Sequence, residues 1–428
     1  MKRATLTALM GFSVFFVLLL SVLVAANFYF YRRGAELLRL GRPGRRALAG
    51  VLVAGLTLMI LGRLLRKTLP GSVIEPMGVV GSTFELGILI SAVLLGVVDL
   101  ARGVAGLGGL LLRRSTARAA TVTAPRERSE PAAAAEDSAS VEEAPSSAPL
   151  PRRTFLAQAA AGSAFLVGGS TATYGALFGR RDYLIETVSV PVVGLPRTLD
   201  GFTVVQLSDL HLGVFVGERE MRAAEDLVRQ ARPDVIVLTG DLIDNDPAYA
   251  AHLSRLVRRL GPLAREGVVA IPGNHDYYAG IDSTLDALRA GGADVLRNRG
   301  RLIGDRGGSF ALLGVDDTYA RRLGGGPDLQ RAIASVPPDH PRVLLCHNPI
   351  FFPEAIGEVA LQLSGHTHGG QVNLVVRPAD WVLSHGYIAG LYEQGGSRLY
   401  VNRGFGTAGP PVRVGAPPEV SRIILTSA

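Results

Sequence analysis

Uncharged apolar runs are long near the start of the chain and short after Tyr183, and this change of scale divides it. Residues 8–30, ALMGFSVFFVLLLSVLVAANFYF, carry no charge and are long enough to cross the roughly 30 Å hydrocarbon core of a bilayer. A buried helix of a soluble domain is rarely apolar all round for that length. ALAGVLVAGLTLMILG (47–62) and GVVGSTFELGILISAVLLGVV (78–98) predict two further spans. Glu85, inside the third run, is costly in lipid unless it faces a neighbouring helix or the interface. Residues 1–105 therefore read as a transmembrane region of about three helices. Residues 106–150 follow, and from 113 onward they are rich in Ala, Ser, Pro and Glu with almost no large apolar residue. That composition predicts a disordered linker. Residues 151–179 are a mildly apolar Ala/Gly-rich run behind Arg152 and Arg153, which reads as a fourth membrane helix.

From 183 to 428 the pattern is that of an α/β domain. FTVVQLS (202–208), DVIVLTG (234–240), GVVAIPG (267–273) and RVLLCHN (342–348) are short continuous apolar runs, the signature of buried strands. Helical periodicity lies between them, as in EREMRAAEDLVRQA (218–231), so βαβ units are expected. GSFALLGV, SRLYVN and SRIILTS lack long intervening helices and read as antiparallel additions.

Charge changes the picture once it is divided. The chain carries +7 overall, but residues 1–182 hold 21 Lys and Arg against 11 Asp and Glu, whereas residues 183–428 hold 23 against 26. The basicity belongs to the N-terminal part, and the slightly acidic domain argues against nucleic acid as a partner. Arginines crowd the 31–46 loop and the segment between Arg102 and Arg153. The positive-inside rule places both in the cytoplasm and the C-terminal domain outside it; Lys2 and Arg3 pull weakly the other way. The single cysteine, Cys346, forms no intramolecular disulfide or Cys-rich zinc site. Its apolar setting makes it a core residue.

The strand-like runs end in polar clusters: Asp209 and His211 in LSDLHLG, Asp241 in TGDLID, Asn274, His275 and Asp276 in PGNHDYY, His347 in CHNP, and His366 and His368 in SGHTHGG. Ligands of open α/β sheets gather at the carboxyl ends of strands. Asp, Asn and His without thiolate suit Mn, Fe or Zn. Alternation in an extended segment would put Asp209 with His211, and His366 with His368, on one side. The set is large enough for two divalent metal ions.

The ordered set D-x-H, G-D, G-N-H-D, a lone H and G-H-x-H resembles the calcineurin-like metallophosphoesterases over roughly residues 200–375. The ending YVNRGFGTAGPPVRVGAPPEV is similar to their membrane-associated bacterial branch, and Arg152–Arg153 resembles a twin-arginine export signal, here without a clear cleavage site. The resemblance implies a four-layer α/β/β/α sandwich behind the helical membrane region. It implies that Asp209, His211 and His368 hold one metal, that Asn274, His347 and His366 hold the other, and that Asp241 bridges them. His275 would protonate the leaving group, with Asp276 orienting it. Arg403 and Arg413 fit either a substrate phosphate or the surface. The implied reaction is hydrolysis of phosphate mono- or diesters by metal-activated hydroxide, on substrates that a membrane anchor makes plausible as lipid-linked or envelope esters. Partners would then be the membrane and the twin-arginine translocation machinery. A UDP-2,3-diacylglucosamine pyrophosphatase-like enzyme of lipid A synthesis is the alternative that suits an inward-facing domain. A non-catalytic metal-binding sensor or scaffold is the alternative outside enzymes. The H-x-H-x-D-H run of a metallo-β-lactamase does not occur.

Overall fold

The structure is a computed structural model that describes residues 2–120, 152–305, 307–383 and 385–428. Four long helices come first: α1 (Lys2–Leu37), α2 (Arg42–Leu64), α3 (Gly71–Ala120) and α4 (Arg152–Leu177). They contain the first three predicted runs and residues 152–177 of the fourth. Among the described residues, Arg42–Leu64 and Gly71–Gly108 are helical stretches long and apolar enough to cross a membrane. The helix α3 continues to Ala120, past the start of the stretch read as linker. GLLLRRSTARAA is dominated by good helix formers and holds no proline, so helix propensity carries it onward. The rest of the linker, 121–150, lies outside the described residues.

The chain divides into two compact units. The smaller comprises Val22–Leu52 and Gly87–Ser170. Within it Asp99 accepts from Arg33 at 2.6 Å and from the Tyr29 hydroxyl at 2.8 Å, over a small core of Leu95, Ala161 and Ala164. The larger unit comprises Met1–Ser21, Val53–Leu86 and Thr171–Ala428. Here Glu85 is only 2% exposed, so it faces protein, as an acid in an apolar helix must.

The strands and helices of the C-terminal part of this unit run in the order β1 (Leu184–Val192), β2 (Phe202–Leu207), α5 (Glu218–Ala231), β3 (Val235–Thr239), α6 (Ala250–Leu260), β4 (Val268–Ile271), α7 (Asn274–Ala279), α8 (Ile281–Gly291), β5 (Asp294–Val295), β6 (Arg299–Asp305), β7 (Gly308–Gly314), α9 (Leu329–Ala334), β8 (Arg342–Leu345), α10 (Phe352–Ala355), β9 (Leu361–Ser364), α11 (Ala379–Val382), β10 (Gly390–Gln394), β11 (Ser397–Val401) and β12 (Glu419–Ser427). They form two six-stranded sheets, β1-β12-β2-β3-β4-β5 and β10-β11-β9-β8-β7-β6.

The period-2 alternation of side chains sends each strand's residues to two different cores. Val204, Val237 and Ile271 of the first sheet meet Phe310, Leu312, Val343 and Leu363 of the second. Their neighbours Val205, Leu207 and Leu238 face the other way, onto Met221, Val228, Leu256 and Leu288 of the covering helices. Ala311, Leu313 and Leu344 of the second sheet bury against Leu329, Ala332 and Ala355. Both faces of both sheets are therefore covered, in four layers α/β/β/α, which is why these strands read as unbroken apolar runs.

The runs read as antiparallel additions have mixed pairings. β7 is antiparallel to β6 and parallel to β8; β11 is antiparallel to β10 and parallel to β9; β12 is antiparallel to β2 and parallel to β1. Short helices between β7, β8 and β9 are enough to return the chain for parallel pairing.

Candidate metal centre

The polar clusters follow β2, β3, β4, β8 and β9 directly, so both sheets deliver them to one end of the sandwich. There Asp209, His211 and His368 bring ligand atoms within 4.8 Å of one another, and so do Asp241, His347 and His366. The two groups adjoin. Asp241 Oδ2 lies 3.2 Å from His347 Nε2 and 3.8 Å from His211 Nε2. His368 Nε2 lies 3.0 Å from His211 Nε2 and 3.4 Å from Asp209 Oδ1, and His366 Nδ1 lies 3.3 Å from His347 Nε2.

Backbone geometry aims these side chains. Asp209, His211, Asp241, His366 and His368 all have positive φ, between 48° and 73°. Non-glycine residues rarely adopt this region, and the strain, of about 1–3 kcal/mol each, gathers at functional sites. The two D-x-H and H-x-H segments are thus turns and not extended strands, and the expected alternation does not hold. Asp209 and His211 do converge, whereas His366 and His368 go to different groups. Hydrogen bonds between the loops hold the turns: Asp209 N–H donates to the Gly240 carbonyl and His211 N–H to that of Asp241 (3.0 and 2.9 Å), and Gly365 N–H donates to that of His347 at 3.0 Å. Gly365 is required by close approach, since a Cβ there would collide with Ser208 and the Asp209 carboxylate.

Surrounding groups fix the rings. His347 Nδ1 donates to the Thr239 carbonyl at 2.8 Å, which turns its Nε2 toward Asp241. This is the arrangement that orients metal-ligating histidines. Asn274 Oδ1 is buried with no hydrogen-bond partner, as an oxygen reserved for a cation would be. An Asp/Asn/His donor set with an orphaned amide oxygen fits divalent metals.

The charges are strongly coupled. Burial alone would raise Asp241, but His347, His275 and His211 outweigh it and hold it well below the usual carboxylate range. Burial opposes charge on His347 too, yet Asp241 holds it well above an ordinary imidazole. Burial and the neighbouring His347 push His366 down to about 3. Burial raises the carboxyl of Asp209.

His275 has its N–H on Asp241 Oδ1 at 2.8 Å and donates from Nδ1 to the Asp244 carbonyl at 2.8 Å. Burial lowers it, but Asp241 and Asp244 prevail and push it up to about 9. The orienting carboxylate expected from Asp276 is absent. Asp276 accepts from Leu242 N–H, Ile243 N–H and Gly273 N–H at 3.0, 3.1 and 2.8 Å, because neighbours one apart at a helix start point to different sides. Asp244 occupies that place, with its carboxylate 3.3 Å from His275 Nδ1 and 3.5 Å from His211 Nδ1. It is the last residue of TGDLID, where a second acid three positions after Asp241 was the available signal.

Arg413 is buried and Arg403 half-buried, and both are held by protein partners. Arg403 pairs with Glu186 and Glu419 at 2.8 and 2.6 Å. Arg413 is 1% exposed; it donates to the carbonyls of Gly406, Ala416 and Gly404 and reaches His368 Nδ1 at 3.1 Å. His385 lies near enough to His366 to act on it electrostatically. Cys346 is buried in the core, as expected.

Comparison with known proteins agrees with this geometry. The family model "Calcineurin-like phosphoesterase" matches residues 202–370. The metallophosphoesterase YkuE of Bacillus subtilis is 33% identical over 290 residues, which cover 65% of this chain and 98% of YkuE. A transmembrane protein with metallophosphoesterase domain from Bos taurus is 35% identical over 259 residues, 57% of either chain, and its Danio rerio counterpart is 32% identical over 276 residues, 62% of either chain. The chain thus spans about three fifths of the length of these two animal relatives, and the likeness is not confined to a bacterial branch. The chain belongs to the calcineurin-like phosphoesterase family.

Proposed function

We propose that this chain is a membrane-anchored phosphoesterase that hydrolyses phosphate mono- or diesters at a two-metal centre. The observation that carries the reading is the meeting of Asp209, His211 and His368 with Asp241, His347 and His366 at the carboxyl ends of both sheets. Asp209, His211 and His368 would hold one ion and Asn274, His347 and His366 the other, with Asp241, between His347 and His211, available to both. Mn, Fe or Zn suits these ligands. Bound there, two such ions supply Lewis acidity towards the phosphate oxygens and lower the pKa of an attacking water.

The chain's own residues do the rest. The Thr239 carbonyl fixes the His347 ring, and Arg413 supports that of His368. With Nδ1–H donated to Asp244, His275 keeps Nε2 for a proton. The Asp244 carboxylate beside the ring favours the protonated form, so His275 can deliver that proton to the leaving oxygen. The loop arginines favour a domain outside the cytoplasm, with Arg152–Arg153 read by twin-arginine machinery, and an anchored enzyme there suits lipid-linked or envelope esters.

The test uses the full chain in detergent micelles with added Mn, bis(p-nitrophenyl) phosphate and p-nitrophenyl phosphate, beside Asp241→Ala. Metal-dependent turnover that vanishes in the variant is expected. Two bound metals with no turnover on either ester would sink the catalytic reading in favour of a metal-binding scaffold.

A further inference from the structure

The α2–α3 turn belongs to the same compact unit as the metal centre, and it brings two arginines there. Gly78 of α3 lies so close to Phe215, in the loop after β2, that a Cβ would stand 2.7 Å from the ring. The helices themselves nearly touch, since a Cβ on Gly62 would stand 3.0 Å from the Gly78 backbone, the small-residue contact that lets membrane helices approach. Held in this way, Arg66 reaches Asp244 with Nη1 3.9 Å from Oδ2, and Asp244 in turn touches His275 and His211. Arg63 is near enough to interact electrostatically with both Asp244 and Arg66. Its Nη2 is 3.8 Å from where a Cβ of Gly409 would stand. Gln371, three residues after His368, donates to the carbonyls of Ala408 and Pro410 on either side of that glycine.

Two cations near one carboxylate exceed what its charge balances, and the Arg66–Asp244 contact is long and part-exposed, worth little as a salt bridge. An Arg pair is well suited to a phosphate, which accepts several charge-assisted hydrogen bonds. Arg63 lies in the last turn of a helix apolar enough to cross a membrane, and Arg66 follows two residues after its end. Beyond Gln371 the chain leaves Trp381 75% exposed, and tryptophan is a residue type enriched at bilayer interfaces.

We propose that Arg63 and Arg66 form an anion subsite for the phosphate-bearing headgroup of a membrane lipid, presented beside the metal centre by the α2–α3 turn. This rests on the phosphoesterase reading and names the class of its substrate.

The experiment uses the full chain in dodecyl maltoside micelles with Mn, following bis(p-nitrophenyl) phosphate hydrolysis. Dioleoyl phosphatidic acid in the micelle, or glycerol 3-phosphate in the bulk, is the competitor. Phosphatidic acid should inhibit, and Arg63→Gln/Arg66→Gln should raise the inhibitory mole fraction on the order of tenfold or more with metal content unchanged. Arg63→Lys/Arg66→Lys should fall between. Arg289→Gln, whose partner is the exposed Asp286 on α8, should match the parent. Unchanged inhibition in the Gln variant overturns the subsite. Loss of metal in that variant assigns the arginines to support of Asp244 and also overturns it. Glycerol 3-phosphate inhibiting as well as the lipid overturns the membrane source. A parent chain that binds Mn but hydrolyses nothing fails the phosphoesterase reading itself, and is told apart by the absence of any rate to inhibit.

Discussion

His275 Nδ1 lies 2.8 Å from the main-chain oxygen of Asp244, and the carboxylate of the same residue lies 3.3 Å from that nitrogen. One residue thus fixes the ring's tautomer by its backbone and favours its charge by its side chain. Asp244→Ala keeps the first contact and removes the second. The expected result is a fall in kcat of about tenfold to a hundredfold, the usual cost of losing such a supporting carboxylate. The alkaline limb of the rate profile should also move to lower pH, because His275 loses an anion that raises its pKa. Steady-state kinetics against pH read both, and an unmoved profile would remove Asp244 from this role.

Asp276 should behave in the opposite way. Its carboxylate closes three backbone N–H groups of two different loops. Leaving them unpaired in a buried site costs about 3 kcal/mol or more in total. Asp276→Ala is therefore expected to lower the denaturation midpoint strongly, with a smaller loss of kcat per folded molecule than Asp244→Ala. Denaturant titration beside active-site metal counting separates the two effects.

Arg413 tests a buried cation that holds the chain ending in place. Burial pushes it down to about 10, so it remains charged at neutral pH and donates to three carbonyls. Arg413→Ala leaves those oxygens unpaired beside a cavity and should cost roughly 3–5 kcal/mol. Arg413→Lys cannot span the same carbonyls and should recover only part of the thermal midpoint in a calorimetric scan.

Cys346 offers a probe of the core. Burial, and then the nearby Asp317, push its thiol well above the ordinary range. Only a thiolate attacks disulfide reagents. Dithionitrobenzoate should leave the native chain untouched at neutral pH and titrate one thiol after unfolding in guanidinium. Rapid reaction of the native chain would contradict the packing of the second sheet against its helices.

The chain's pattern by itself determined much of this protein. Continuous apolar runs such as VIVLT, bounded by glycine and polar residues, specify strands buried on both faces whatever their partners. The G-N-H-D and G-H-x-H clusters are legible because metal chemistry demands those residue types in short spans. The helix that runs on to Ala120 escapes the same reading, because RRSTARAA, poor in large apolar residues, still forms helix where alanine and arginine predominate.

Tertiary structure decided what depends on distance through space. Asp244 and Asp276 are equally acidic in sequence and each follows a predicted ligand within three residues; only the crossing of the loops after β3 and β4 gives one to His275 and the other to the backbone. Arg403 and Arg413 fitted either a substrate phosphate or the surface in sequence; the fold turns them onto Glu419 and onto carbonyls. Nothing in the sequence relates Arg66 to Asp244, far along the chain; the α2–α3 turn brings them to 3.9 Å. Pattern records what a residue can do locally, whereas a charge's partner is chosen by packing between segments that the pattern does not relate.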